Sequence, residues 1–102
     1  MVEIIWTEPA LSDLNDIAEY IALENVVAAK QLVQTVFTKV EPLADFPDSG
    51  RVPSELEHLN YREVVISPCR VFYKNDDEKV HILFVMRAER DLRRFMLMKQ
   101  LV

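Results

Sequence analysis

Apolar residues recur along this chain in two rhythms. From Pro9 onward, Ala10, Leu11, Leu14, Ile17, Ala18 and Ile21 are spaced by three and four, with Asp13, Asn15, Asp16 and Glu19 between them. That spacing predicts an amphipathic helix ending near Glu24, with the four polar residues on its solvent face. Thr7 or Glu8 is placed to cap it, and Pro9 falls in the first turn, where a missing N–H costs nothing. Asn25 then caps a second helix with an apolar stripe of Ala29, Leu32, Val33, Val36, Phe37, Val40, Leu43 and Ala44. The short link between the two makes an antiparallel helical hairpin.

Elsewhere the pattern is that of strands. Val2 to Trp6 is one short β-favouring run, and Tyr61 to Ile66, Arg70 to Lys74 and Val80 to Met86 are three more. Ser67-Pro68-Cys69 and Asn75-Asp76-Asp77-Glu78 supply turns, so the last three form an antiparallel meander. Between hairpin and meander, Phe46-Pro47-Asp48-Ser49-Gly50-Arg51-Val52-Pro53 breaks the second helix. Phe46 packs under the helix end in this reading, and Gly50 is free to take positive φ. A single helical turn fits Ser54 to His58. The final stretch, Glu89 to Val102, is helix-permissive, with Leu92, Phe95, Met96 and Met98 as an imperfect apolar side. The fold class is α+β, a single domain over residues 1–102. Its order is β-α-α-β-β-β with a short carboxy-terminal helix or tail. The hairpin buries its stripe on one sheet face, which leaves the other face open to a partner and the tail dispensable for folding.

Composition narrows the chemistry. With 102 residues and half of them apolar, the chain can hold one core without disulfides or metal. Cys69 has no second cysteine, and His58 and His81 have none to share a zinc site with, so no metal and no cofactor is expected. No Gly-rich phosphate loop, Gly-x-Ser-x-Gly or Cys-x-x-Cys occurs. Glu3 and the lack of a basic lead-in argue against a signal peptide, and the apolar run Ile82 to Met86 is far short of the roughly 20 residues of a membrane span. A cytoplasmic protein without membrane contact is the expectation.

Charge is unevenly distributed. The net charge is -5, but residues 1–50 carry -7 and residues 51–102 carry +2, with five bases between Arg87 and Lys99. Nucleic-acid binding draws on a net basic face, and only the carboxy-terminal segment can offer one. No direct nucleic-acid partner is expected.

Element order and local strings together resemble the RelE/ParE superfamily of toxins from type II toxin-antitoxin modules, which includes plasmid stabilisation proteins. The strings are Trp6-Thr7, Ala10-Leu11-Ser12-Asp13-Leu14, Ile17-Ala18-Glu19-Tyr20-Ile21-Ala22, Ala28-Ala29, Phe46-Pro47-Asp48-Ser49-Gly50-Arg51, Tyr61-Arg62-Glu63-Val64-Val65, Cys69-Arg70-Val71-Phe72-Tyr73, and Ile82-Leu83-Phe84-Val85 leading to Arg87 and Glu89-Arg90-Asp91-Leu92. They look more like the ParE branch than the RelE branch. The resemblance implies a cognate antitoxin, with higher-order toxin-antitoxin complexes. For the ParE branch it implies inhibition of DNA gyrase by binding; for the RelE branch it implies ribosome-dependent mRNA cleavage. A non-toxic binding module of the same fold is the third possibility.

The residues weigh against cleavage. Where RelE-like nucleases typically keep a Tyr or a His-Tyr pair in the tail, this chain reads Arg87-Ala88-Glu89-Arg90-Asp91-Leu92-Arg93-Arg94-Phe95-Met96, with neither. The loop before the meander, Lys-rich in those enzymes, holds Glu55, Glu57 and His58. Glu89 with Arg90 is the one acid-base pair the tail could form. No catalytic residue is therefore assigned. The candidates for target or antitoxin binding are Arg51, Arg62, Arg70, Arg87, Arg90, Arg93, Arg94 and Phe95. Arg62 and Arg70 lie within strand patterns, where they face solvent or pair with acids around Glu63.

Overall fold

The fold is known from a computed structural model, which describes residues 1–99. Strand β1 (Glu3–Trp6) leads into helix α1 (Glu8–Ala22) and helix α2 (Val26–Val40). Strands β2 (Arg62–Ile66), β3 (Cys69–Asn75) and β4 (Lys79–Arg87) follow, then helix α3 (Leu92–Met98). The caps are those the sequence implies: Thr7 Oγ1 accepts from the Ala10 N–H and Asn25 Oδ1 from the Ala28 N–H. Helix α2 stops at Val40, because Pro42 forces a 3-10 turn over Glu41–Ala44 that carries Leu43 into the core. Phe37, on the predicted stripe, is 40% exposed and packs on Trp6 at a centroid distance of 4.6 Å.

The sheet order is β1-β4-β3-β2. The meander is antiparallel as its turns predict, whereas β1 lies parallel to β4 with Trp6 opposite Ile82, so the sheet is mixed. The β3–β4 register slips between Phe72 and Tyr73. Phe72 faces Phe84 and Tyr73 faces Ile82, which leaves Leu83 as an extra residue. This bulge reverses the side-chain alternation of β4. Val80 and Ile82 point to the hairpin with Val36, Val40 and Leu14, whereas Phe84 and Met86 point to the opposite face.

That opposite face is not open. Phe72, Phe84 and Met86 lie beneath Leu92, Phe95 and Met96 of α3 and Leu56 of the 3-10 turn Ser54–Leu56, forming a second core. The expectation of a free sheet face and exposed apolar tail is therefore corrected: Leu92, Phe95 and Met96 are 2%, 7% and 0% exposed. The tail cannot be dispensable for folding, since α3 supplies Leu92, Phe95 and Met96, three of the eight buried residues of this layer.

Candidate functional site

Two groups of ionisable residues emerge, one closed and one open. The closed group joins the loop after α2 to the outer face of β2 and β3. Glu63 and Arg70 sit on the same side of adjacent strands because Glu63 pairs with Phe72 and Arg70 with Val65. The Arg70 guanidinium donates to Glu63 Oε1 at 2.6 Å and Oε2 at 3.0 Å, and makes two bonds of 3.0 Å to the Glu55 carboxylate. Arg51 Nε donates to Glu63 Oε2 at 3.1 Å, and the Arg51 and Glu63 backbones bond in both directions. Glu63 is 1% exposed and Arg70 8%, so the charges lie inside the protein and neutralise one another. Arg70 holds the Glu55 carboxyl well below its ordinary range, at about 2, and the two glutamates push the Arg70 guanidinium further up.

These residues line a cavity of about 320 Å³ with Val52, Ser54 and Val65. Its ionisable side chains are already bound to one another. General acid-base work needs a group that gains and loses a proton near neutral pH, and a carboxyl clamped at about 2 by Arg70 does not. Arg62 is equally committed, with Nη1 donating to the carbonyls of Asp48 and Gly50 at 3.2 and 2.9 Å. Tyr73 completes the anchorage: its hydroxyl donates to Pro47 O at 2.8 Å and accepts from the Gly50 N–H at 2.9 Å. Gly50 does not take positive φ. It is required because a Cβ there would meet the Tyr73 ring at 2.6 Å and the Glu63 carbonyl at 2.9 Å. Phe46, 65% exposed, does not pack under the helix end; the loop is held by its polar bonds.

The open group is the basic surface of α3 and the segment leading to it. Arg90, Arg93 and Arg94 are exposed and enter no salt bridge among the described residues. Arg87 lies 2.7 Å from Glu89, so Glu89 is engaged by Arg87 rather than by Arg90, the acid-base partner the sequence allowed it, and the Arg87 guanidinium stacks 5.5 Å from the Tyr20 ring centroid. Phe95 is a core residue beneath Arg90 and Lys99 and offers a partner almost no surface.

Asp13 escapes sequence reasoning. The helical pattern puts it on the polar face, yet it is 6% exposed. Its Oδ2 accepts from the Val85 N–H at 3.1 Å and its Oδ1 from Lys99 Nζ at 2.6 Å. Strand β1 ends opposite Ile82, so the β4 backbone beyond it lacks a strand neighbour, and Asp13 takes the place of one. The only signal in the sequence was an acid three residues from the apolar Ala10 and one from Leu14.

The remaining ionisable groups form no reaction centre. His58 is exposed, and His81 pairs with Asp76 at 3.3 Å. Cys69 is fully buried and its thiol is pushed up by desolvation. Among the described residues no three His, Cys, Asp or Glu side chains converge as metal ligands would, and no helix is long and apolar enough to cross a membrane.

Comparison with known proteins agrees with this architecture. The chain is 33% identical over 91 residues to a protein named Toxin RelE2 from Caulobacter vibrioides, covering 88% of this chain and 99% of that one. It superposes on a structure titled chromosomal ParDE TA system from P. aeruginosa with a TM-score of 0.73 and 28% identity, covering 87% of this chain and 98% of that one. The family described as ParE toxin of type II toxin-antitoxin system, parDE, matches residues 4–92. The chain thus belongs to the ParE toxin family, and is the toxin member of a type II toxin-antitoxin pair.

Proposed function

We propose that this toxin acts in the cytoplasm by binding DNA gyrase, that it breaks no covalent bond, and that its cognate antitoxin holds it inactive. The observation that carries this reading is the division of its ionisable groups. The buried Glu63, Arg70 and Asp13 are bound by partners, while Arg90, Arg93 and Arg94 stand exposed and, among the described residues, unpaired on one short stretch of chain. Saturated pairs hold a fold in place. Exposed unpaired cations steer a partner of opposite charge and fix its register.

The outer face of α3 is the target-binding surface in this reading. Leu92, Phe95 and Met96 anchor the helix to the sheet, which leaves Arg93, Arg94 and the 65% exposed Leu97 pointing outward. A rigid platform presenting two guanidinium groups beside an apolar residue suits recognition of carboxylates on a protein surface. Arg93→Glu with Arg94→Glu touches only this surface. The double variant should lose growth inhibition and inhibition of gyrase supercoiling, with an unchanged melting temperature. The wild-type protein should inhibit supercoiling and leave ribosome-bound mRNA intact. Codon-positioned mRNA cleavage with supercoiling unaffected would overturn the proposal in favour of a ribosome-dependent endoribonuclease.

A further inference from the structure

A second basic feature lies on the other side of α3, where it meets α1 and the end of β4. A cavity of about 260 Å³ there is floored by Ile17, Val85 and Phe95 and walled by Arg87, Arg90 and Lys99, with Asp13 and Asp16 on its α1 side. Asp13 is already bound to Val85 and Lys99. The Arg87–Glu89 pair is short but misaligned, leaving the buried Arg87 Nε–H without a hydrogen bond. Arg87 is thus weakly committed to its neighbour, and Arg90 has no acid partner among the described residues.

The backbone along this cavity is also unfinished. The Ala88 N–H bonds to Pro68 O on the β3 side of β4, so by alternation Val85 and Arg87 direct their N–H and C=O groups the other way, past the end of β1. Asp13 satisfies the Val85 N–H and the Arg90 N–H satisfies the Arg87 carbonyl. The Val85 carbonyl and the Arg87 N–H keep no partner among the described residues. In a parallel ladder one residue of an added strand bridges the C=O and N–H that flank its opposite number. These two groups flank Met86, and β1 already sets the parallel direction.

We infer that this groove receives an extended, acidic segment of a protein partner, which pairs its backbone with β4 at Met86 and places a carboxylate between Arg87 and Arg90. The inference rests on the reading of the chain as a toxin neutralised by a protein. A peptide fits better than a nucleic acid, because the unpaired groups, one C=O and one N–H along a strand edge, are those a peptide backbone satisfies. An apolar side chain adjacent to the carboxylate would lie on Ile17 and the 70% exposed Met98.

The test is titration of the isotope-labelled protein with a short synthetic peptide alternating Glu and Val. The amides of Val85, Met86 and Arg87 should shift together. Arg90→Glu, an exposed change whose folding is checked by melting temperature, should weaken binding at least tenfold, and a Lys-Val peptide should not bind. Shifts confined to another surface, equal binding of the Lys-Val peptide, insensitivity to Arg90→Glu, or tighter binding of a single-stranded oligonucleotide would each overturn the inference. Co-expression separates it from the reading beneath it. An antitoxin that copurifies with wild type and Arg90→Glu equally refutes the groove alone, whereas a wild-type chain that is harmless without any antitoxin refutes the toxin reading and leaves the titration to decide the groove.

Discussion

Removing Arg70 should be the most damaging single change to the closed network, because it strips a buried carboxylate of its compensation. Arg70→Met deletes four hydrogen bonds and leaves Glu63, 1% exposed, with only Arg51, whose own side chain is 68% exposed. Glu55 loses little, since its side chain is 34% exposed and turns to water. Breaking a buried ion pair from one side costs about 3–5 kcal/mol. For a domain of this length, that corresponds to a fall in melting temperature of roughly 15–25 °C. Arg70→Met with Glu63→Leu removes both charges and adds apolar surface beside Phe72, so it should regain at least ~2 kcal/mol of that loss. Urea denaturation of the wild type, both single variants and the double variant closes the cycle. A loss below ~1 kcal/mol for Arg70→Met, or single-variant losses that simply add, would refute the claim that these charges are mutually compensating. Growth inhibition at a temperature where Arg70→Met is folded should persist, because the outer face of α3 is untouched.

Three further changes probe the same framework. Glu55 has a folded pKa lowered from 4.5 to about 2, so its contribution is complete above pH 4.5 and disappears as pH falls towards 2. Discounted for its exposure the contribution is about 1 kcal/mol, and the stability difference between wild type and Glu55→Gln at pH 6 should close on titration to pH 2.5. Gly50→Ala forces a Cβ against Tyr73 and the Glu63 carbonyl and should cost about 3 kcal/mol by denaturant melt; a neutral result would mean that the loop yields freely. Asp13→Ala leaves the Val85 N–H unsatisfied as well as Lys99 unpaired, so it should cost ~1–3 kcal/mol and more than Lys99→Ala, which leaves the Val85 bond in place.

Much of this was legible in the sequence because local rules and the global fold agree. Thr7 and Asn25 cap helices by the same chemistry in any protein, and the three-and-four spacing places Leu14, Leu32 and Val36 in the core without reference to anything distant. What could not be read depends on pairings far apart along the chain. Nothing near Leu83 marks it as the bulge that redirects Phe84 and Met86. The register with β3 and the hydroxyl of Thr7, donating to Ile82 O at 2.7 Å, act there from ten or more residues away. The same holds for the candidate sites. Arg51, Arg62 and Arg70 look alike as cations among strand and loop residues, and only the fold shows that each is bound in place.

Asp13, which the helical pattern misplaces, and Glu63, which the strand pattern offers as a partner for Arg70, show how this sorting arises. Asp13 and Glu63 each replace a missing partner at a place where regular structure ends: Asp13 where β1 stops short of β4, and Glu63 where the loop must be pinned to the edge strand β2. Each recruits a cation from elsewhere in the chain, Lys99 from the turn after α3 and Arg70 from β3. The chain's charge asymmetry is thereby partly folded upon itself, acid of α1 against base of the carboxy-terminal segment. Of the five cations between Arg87 and Lys99, those that enter no ion pair among the described residues are Arg90, Arg93 and Arg94. The fold needs none of the three for its own closure, so their charge is free to act on a partner.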